Sequence, residues 1–203
     1  MFLQINPSNI DHRLIKEVVA VLKNNGVIIF PTDTVYAIGC NIYSNKAIEK
    51  ISRIKNVRPE KANFSFICSD LSNISDFTKP FERSVYKMLN RSLPGPFTFI
   101  LNANSAVPAI FKNNKKTIGI RVPDHAIPIS IIKELGNPIM SASLHNEDQI
   151  VDYLTDPAEI FEKFENIADL IIDAGYGGNE PSTIVDCTST HPVIVRQGAG
   201  TLD

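Results

Sequence analysis

VIIFPTDTVYAIGC, residues 27–40, runs from the β-branched and aromatic stretch Val27 to Phe30 straight into Pro31, Thr32, Asp33, Thr34 and Tyr36, then on to Gly39. The apolar part reads as a short buried strand. Pro31 ends its ladder because proline has no N–H to donate. In α/β proteins, ligands gather beyond strand ends, where the packed scaffold stops and loop side chains converge. The hydroxyl-rich turn is therefore a candidate by position as well as chemistry. Taken alone, it reads equally well as a turn that closes the strand, with Asp33 accepting nearby backbone N–H groups.

Working outward, a helix precedes this strand from about Asp11 to Asn24, with Leu14, Ile15, Val18, Val19 and Leu22 at helical spacing and Asn25-Gly26 as its stop. Downstream, Asn45 to Arg53 reads as a helix, NFSFICS as a strand, Asp70 to Phe77 as a turn entering a helix, and Phe81 to Asn90 as a stronger helix. LPGPFTFIL joins a turn to a strand, and TIGIRVP repeats the strand-then-proline arrangement. Helices near Ile127–Leu135 and Pro157–Phe164, with strands in PIMSAS, LIIDAG, STIVDCT and PVIVRQG, complete the pattern. Strands and helices alternate irregularly, so the expectation is one α/β domain: a twisted, open mixed sheet with flanking helices.

Composition narrows the function. A chain of 203 residues with 43% hydrophobic content can bury a core of its own. A net charge of −2 argues against coating nucleic acid through bulk positive charge. Two local basic patches stand out, Lys50, Arg53, Lys55, Arg58 and Lys61, then Lys112, Lys115, Lys116 and Arg121. No apolar run is long enough to span a bilayer and the N-terminus lacks a signal-peptide pattern, so a cytoplasmic location is expected, with no membrane partner. Cys40, Cys68 and Cys187 are widely spaced, and His12, His125, His145 and His191 show no metal spacing, so neither a disulfide framework nor a protein-built metal site is expected.

Further candidates also lie at strand ends. In RIKNVRP, Lys55 and Arg58 follow a helix and suit phosphate. In TIGIRVPDH, alternation sends Thr117, Gly119 and Arg121 to one face and Ile118, Ile120 and Val122 to the other. A half-buried arginine there needs an anion, either a ligand or an internal carboxylate such as Asp124 or Glu134. Ser141 and Ser143, then Ser182, Thr183 and Asp186, and finally Arg196 before Gly198 and Gly200 put donors at further termini. No glycine spacing matches a Walker A loop or a dinucleotide fingerprint, and no catalytic triad can be assembled.

The ordered set FPTDTVYAIG, RIKNVRP, LPGPFTFIL, TIGIRVPDH, PIMSAS, PSTIVD and VIVRQGAG resembles the YrdC/YciO family, over nearly the whole chain from Gly26 to Gly200. The resemblance implies a YrdC-like open sheet with a basic concave face. It also implies the reaction of the threonylcarbamoyl-AMP synthases, in which L-threonine, bicarbonate and ATP give threonylcarbamoyl-AMP and pyrophosphate, for modification of adenosine 37 in tRNA. By the same resemblance, Thr32, Arg121 and Ser182 would bind threonine. Lys55, Arg58, Thr117, Ser141 and Arg196 would hold ATP, with magnesium as its companion ion; no residue is assigned a catalytic role.

Three departures point toward the YciO branch. Where the synthases have Lys-x-Arg, this chain has Lys55-Asn56-Val57-Arg58, one residue longer. Asn63-Phe64 stands where they carry Pro-Leu, and Ser141-Ala142-Ser143 where they carry Ser-Ala-Asn. The competing expectation is a non-catalytic protein that binds double-stranded RNA or tRNA in the same basic groove.

Overall fold

The computed structural model describes residues 1–62, 64–111, 116–144 and 153–202. Its strands are β1 Phe2–Gln4, β2 Ile28–Phe30, β3 Ala37–Asn41, β4 Ser65–Ile67, β5 Phe97–Asn102, β6 Thr117–Arg121, β7 Ile139–Ser143, β8 Leu170–Asp173, β9 Thr183–Asp186 and β10 Val193–Arg196. Its α-helices are α1 His12–Lys23, α2 Asn45–Ile54, α3 Leu71–Phe77, α4 Arg83–Ser92, α5 Ala126–Leu135 and α6 Pro157–Phe164. All ten strands join one sheet in the order β1-β8-β2-β3-β7-β4-β6-β5-β9-β10. Parallel pairs such as β4 with β6 and β5 with β9 mix with antiparallel pairs such as β3 with β7 and β5 with β6, as the irregular alternation of elements predicts.

Local chemistry sets the helix ends. Asp11 caps α1 by accepting from the Arg13 backbone N–H at 2.9 Å, and the Gly26 N–H returns to the Val21 carbonyl at 2.9 Å. Gly136, at φ 82, ends α5 in the left-handed conformation that glycine adopts without penalty. The helices then cover the sheet unequally. On one face, α2, α3, α4 and α6 bury Ile48, Ile51, Phe77, Leu89 and Phe164 against Phe66, Phe99, Ile120 and Met140. On the other face, α1 and α5 bury Val18, Leu22, Ile127 and Ile131 against Ile28, Phe30, Ile139, Leu170 and Ile172. That second cluster draws nothing from β5, β6, β9 or β10. Half of this face thus lacks an apolar cover among the described residues.

The register shows what lies on the open half. Ile28, Gly39, Ser141, Ser65, Gly119 and Ile100 are successive partners across β2, β3, β7, β4, β6 and β5. Between Ile28 and Ile100 the row is small and polar. Residues two apart share a face, so Ser143 joins Ser141, while Thr117 and Arg121 flank Gly119. A side chain on Gly119 would place its Cβ 2.8 Å from Ser65 Oγ, which keeps this floor low. Two strands escape the sequence reading. β3 is buried on both faces at Ala37, Ile38, Gly39 and Cys40, so it lacks alternation, and β1 is a three-residue edge strand.

Candidate functional site

The loop between β2 and β3 holds itself together through its hydroxyls. Thr32 Oγ1 donates to the Val35 carbonyl at 2.7 Å and accepts from the Thr34 backbone N–H at 3.2 Å. Tyr36 ties this loop to the one after β8: its hydroxyl donates to the Gly175 carbonyl at 2.8 Å and accepts from the Ala174 N–H at 3.1 Å. Gly177 and Gly178 allow that approach, since a Cβ would lie 2.7 Å from the Tyr36 ring at Gly177 and 2.2 Å from the Thr34 carbonyl oxygen at Gly178. The ring and polar tip of Tyr36 therefore serve to fasten two loops.

Among the described residues, Asp33 caps no backbone N–H group, although its turn context suggests that it would. It pairs with Arg121, whose Nη2 donates to Asp33 Oδ1 at 2.7 Å and to Thr34 Oγ1 at 3.0 Å. The internal carboxylate is thus Asp33 rather than Asp124 or Glu134, because the loop brings Asp33 over the open half of the sheet. Both side chains are only 9% exposed. Burial pulls the Arg121 pKa down, and Asp33 works against that loss. An arginine starts so high that it stays charged. The pair is incomplete: Arg121 Nε and Asp33 Oδ2 are buried and lack hydrogen-bond partners among the described residues.

Arg196 stands close enough to Arg121 to lower its pKa further. Its Nη2 donates to the Ser182 carbonyl at 2.7 Å, and its Nε is a third buried atom without a partner among the described residues. Ser182 Oγ meets Thr98 Oγ1 at 2.8 Å. Gly198 lets the chain pass tightly here, since a Cβ would lie 2.1 Å from the Pro181 carbonyl oxygen. His125 accepts from the Ile127 N–H through Nδ1 at 3.3 Å and so caps α5. Burial holds its pKa below the usual range, although Asp33 and Asp124 pull the other way. The ring is neutral at neutral pH.

The other end of the open half-face is looser. Lys55 is the C-cap of α2 and its Nζ donates to the Ser143 carbonyl at 3.0 Å. Asn56 takes φ 51 and the Val57 N–H returns to the Ser52 carbonyl at 3.0 Å, so the extra residue is spent closing the helix. Arg58 then emerges exposed, with no ion pair among the described residues. Ser141 Oγ donates to the Ser65 carbonyl at 3.4 Å, and Thr117 is half-buried on β6. Thr117 and Arg121 are four residues apart on one strand, which puts their Cα atoms about 13 Å apart.

Thr32, Thr34, Arg121, Ser182 and Arg196 therefore gather at one end, and Lys55, Ser143 and Thr117 at the other, with Ser141, Ser65 and Gly119 between them. Thr98 beside Ser182 and Ser65 in the floor were not among the candidate binding residues, and Asp33 stood only in the candidate turn, without Arg121 as its partner. Alternation along NFSFICS could have flagged Ser65. Lys50 turns to Asp169 at 2.9 Å and Arg53 to Glu49 at 3.6 Å, which removes both from this face. Asn63, Lys112, Lys115 and His145 lie outside the described residues. Among those described, no group of three or more His, Cys, Asp or Glu is placed to hold a metal ion. The three cysteines are free and buried, with the Cys187 thiol pushed up to about 12 by burial.

Comparison with known proteins bears on the fold and the family. The Sua5/YciO/YrdC family model, described as telomere recombination, matches residues 20–198. The uncharacterized protein YciO of Escherichia coli is 38% identical over 200 residues, covering 98% of this chain and 96% of that one. Its crystal structure superposes with a TM-score of 0.92 over 99% of this chain and 97% of its own. A threonylcarbamoyl-AMP synthase of Bacillus subtilis is 30% identical over 186 residues, 91% of this chain but 53% of that longer protein. The P. abyssi Sua5 protein, crystallised with L-threonine, shares the fold at a TM-score of 0.88 and 24% identity, over 98% of this chain and 57% of that one. The chain belongs to the Sua5/YciO/YrdC family.

Proposed function

We propose that this chain is a threonylcarbamoyl-AMP synthase, or a paralogue with a related ATP-dependent reaction, and that the open half-face is its active site. The observation that carries this reading is Arg121, a buried and charged side chain with a donor that lacks a partner among the described residues, on a half-face that no described helix covers. A buried cation with spare hydrogen-bonding capacity suits a small anionic ligand. It suits a solvated nucleic-acid backbone poorly, which favours the enzyme over the RNA-binding reading. The B. subtilis relative is named for the synthase activity and the P. abyssi protein was crystallised with L-threonine.

In this reading Thr32, Arg121 and Ser182 take threonine, and Lys55, Arg58, Thr117, Ser141 and Arg196 take ATP. The threonine amine and bicarbonate combine with loss of water to a carbamate. A carbamate oxygen then attacks the α-phosphorus of ATP, and the bond to pyrophosphate breaks. Arg196 and Lys55 oppose the negative charge that gathers on the phosphoryl oxygens. Magnesium would arrive on the ATP phosphates, because such an ion keeps water and phosphate ligands and needs few from protein. Its service is to neutralise phosphate charge. The product would feed tRNA adenosine-37 modification in the cytoplasm, and no described helix is long and apolar enough to cross a membrane. Incubation with ATP, radiolabelled bicarbonate and L-threonine should release pyrophosphate and labelled threonylcarbamoyl-AMP. No pyrophosphate above blank, across several amino acids, would overturn the reading.

A further inference from the structure

The Arg121 end offers more than a cation. Three buried polar atoms there lack partners among the described residues: two donors, Arg121 Nε and Arg196 Nε, and one acceptor, Asp33 Oδ2. Asp33 and Arg121 could have paired through both carboxylate oxygens, which is the common geometry for this pair of groups. They meet instead through a single Nη2 to Oδ1 contact at 2.7 Å, which leaves an acceptor on one partner and a donor on the other. A buried carboxylate oxygen without a donor is costly. An α-amino acid carries the complementary set on one carbon: a carboxylate for the two donors and an N–H-bearing cation for the acceptor.

We propose that Asp33 is a further substrate-binding residue, whose Oδ2 accepts from the α-ammonium of the amino acid whose carboxylate Arg121 holds. This rests on the reading of the half-face as a threonine site and adds the group that selects for an amine. Asp33 then has two tasks, one on each oxygen: Oδ1 fixes the guanidinium, and Oδ2 tells an amino acid from a simple hydroxy acid. Acetate, which carries no N–H or O–H donor, would gain nothing from Oδ2.

The test compares L-threonine with (R)-3-hydroxybutanoate, the same molecule without its amine, by isothermal titration calorimetry. The wild-type chain should prefer threonine by about tenfold or more, the value of a hydrogen bond to a charged group. In Asp33→Asn the ratio should fall to about twofold or less, because an amide nitrogen in place of Oδ2 offers a donor to a donor. A merely structural Asp33 would weaken both ligands together and leave the ratio unchanged, which would overturn the assignment while leaving the threonine site standing. Equal binding of both ligands by the wild type would do the same without any variant. If the wild type binds neither, both this assignment and the proposed function fail. Asp33→Ser repeats the comparison should the asparagine variant not fold.

Discussion

The two ends of the open half-face obey different physics. At the Arg121 end, charge is buried, each side chain is held by named partners, and two loops are fastened over the sheet by Tyr36 and by close glycine contacts. At the Lys55 end, one half-buried lysine reaches a backbone carbonyl and Arg58 stands in solvent. Leaving a buried ion unpaired costs several kcal/mol, whereas moving an exposed one costs almost nothing. The first end must therefore be built before its ligand arrives. The second is less constrained by packing, and it is where Val57 and Ser143 stand. On the proposed function, the threonine end is the one that packing fixes, and the ATP end is the one that packing leaves adjustable.

Substitutions can break or sharpen this contrast. Arg121→Ala should have the largest effect. It leaves Asp33 buried without its partner, costing about 3–5 kcal/mol in urea unfolding, and threonine binding should be lost from calorimetric titrations. Gly178→Ala should come next, since its Cβ would meet the Thr34 carbonyl oxygen at 2.2 Å and push the Thr32–Thr34 turn out of place. A loss of about 1–3 kcal/mol is expected, as for overpacking, with threonine affinity falling and ATP affinity kept. Lys55→Ala should cost at most about 1 kcal/mol in urea unfolding and weaken ATP about tenfold, the worth of one charge-assisted contact. ATP affinity that Lys55→Ala leaves unchanged would remove Lys55 from the site.

The smallest effect concerns pH. Burial holds the folded His125 below its usual pKa. The unfolded chain takes up a proton as pH falls below about 6.5, where the folded one does not. Stability should therefore decline as pH falls through 6.5 toward the folded value. His125→Asn keeps an acceptor at the cap of α5 and should flatten that slope in thermal melts between pH 7 and 5, roughly the window in which histidine titrates.

The sequence reveals this protein unevenly. Helices such as α1 announce themselves because one apolar stripe packs on one face, and β6 shows its two faces by alternation at Thr117, Gly119 and Arg121. β3 does not, because a strand buried on both sides has no period to read. The candidate site follows the same rule. Single residues at strand ends can be picked out, since strand ends and residue types are local. That Asp33 faces Arg121 could not be read, because 88 positions separate them and only the path of the β2–β3 loop brings them to 2.7 Å. The extra residue at Val57 could be seen in the sequence, but its consequence, a closed helix and an outward Arg58, depends on the turn it enters.

The most direct test of a prebuilt anchoring end is a calorimetric titration of the protein with L-threonine in the absence of nucleotide. Saturable binding at one site per chain, abolished by Arg121→Ala and unaffected by Lys55→Ala, is the predicted result. Threonine binding that appears only after ATP is added, or that survives the loss of Arg121, would contradict it.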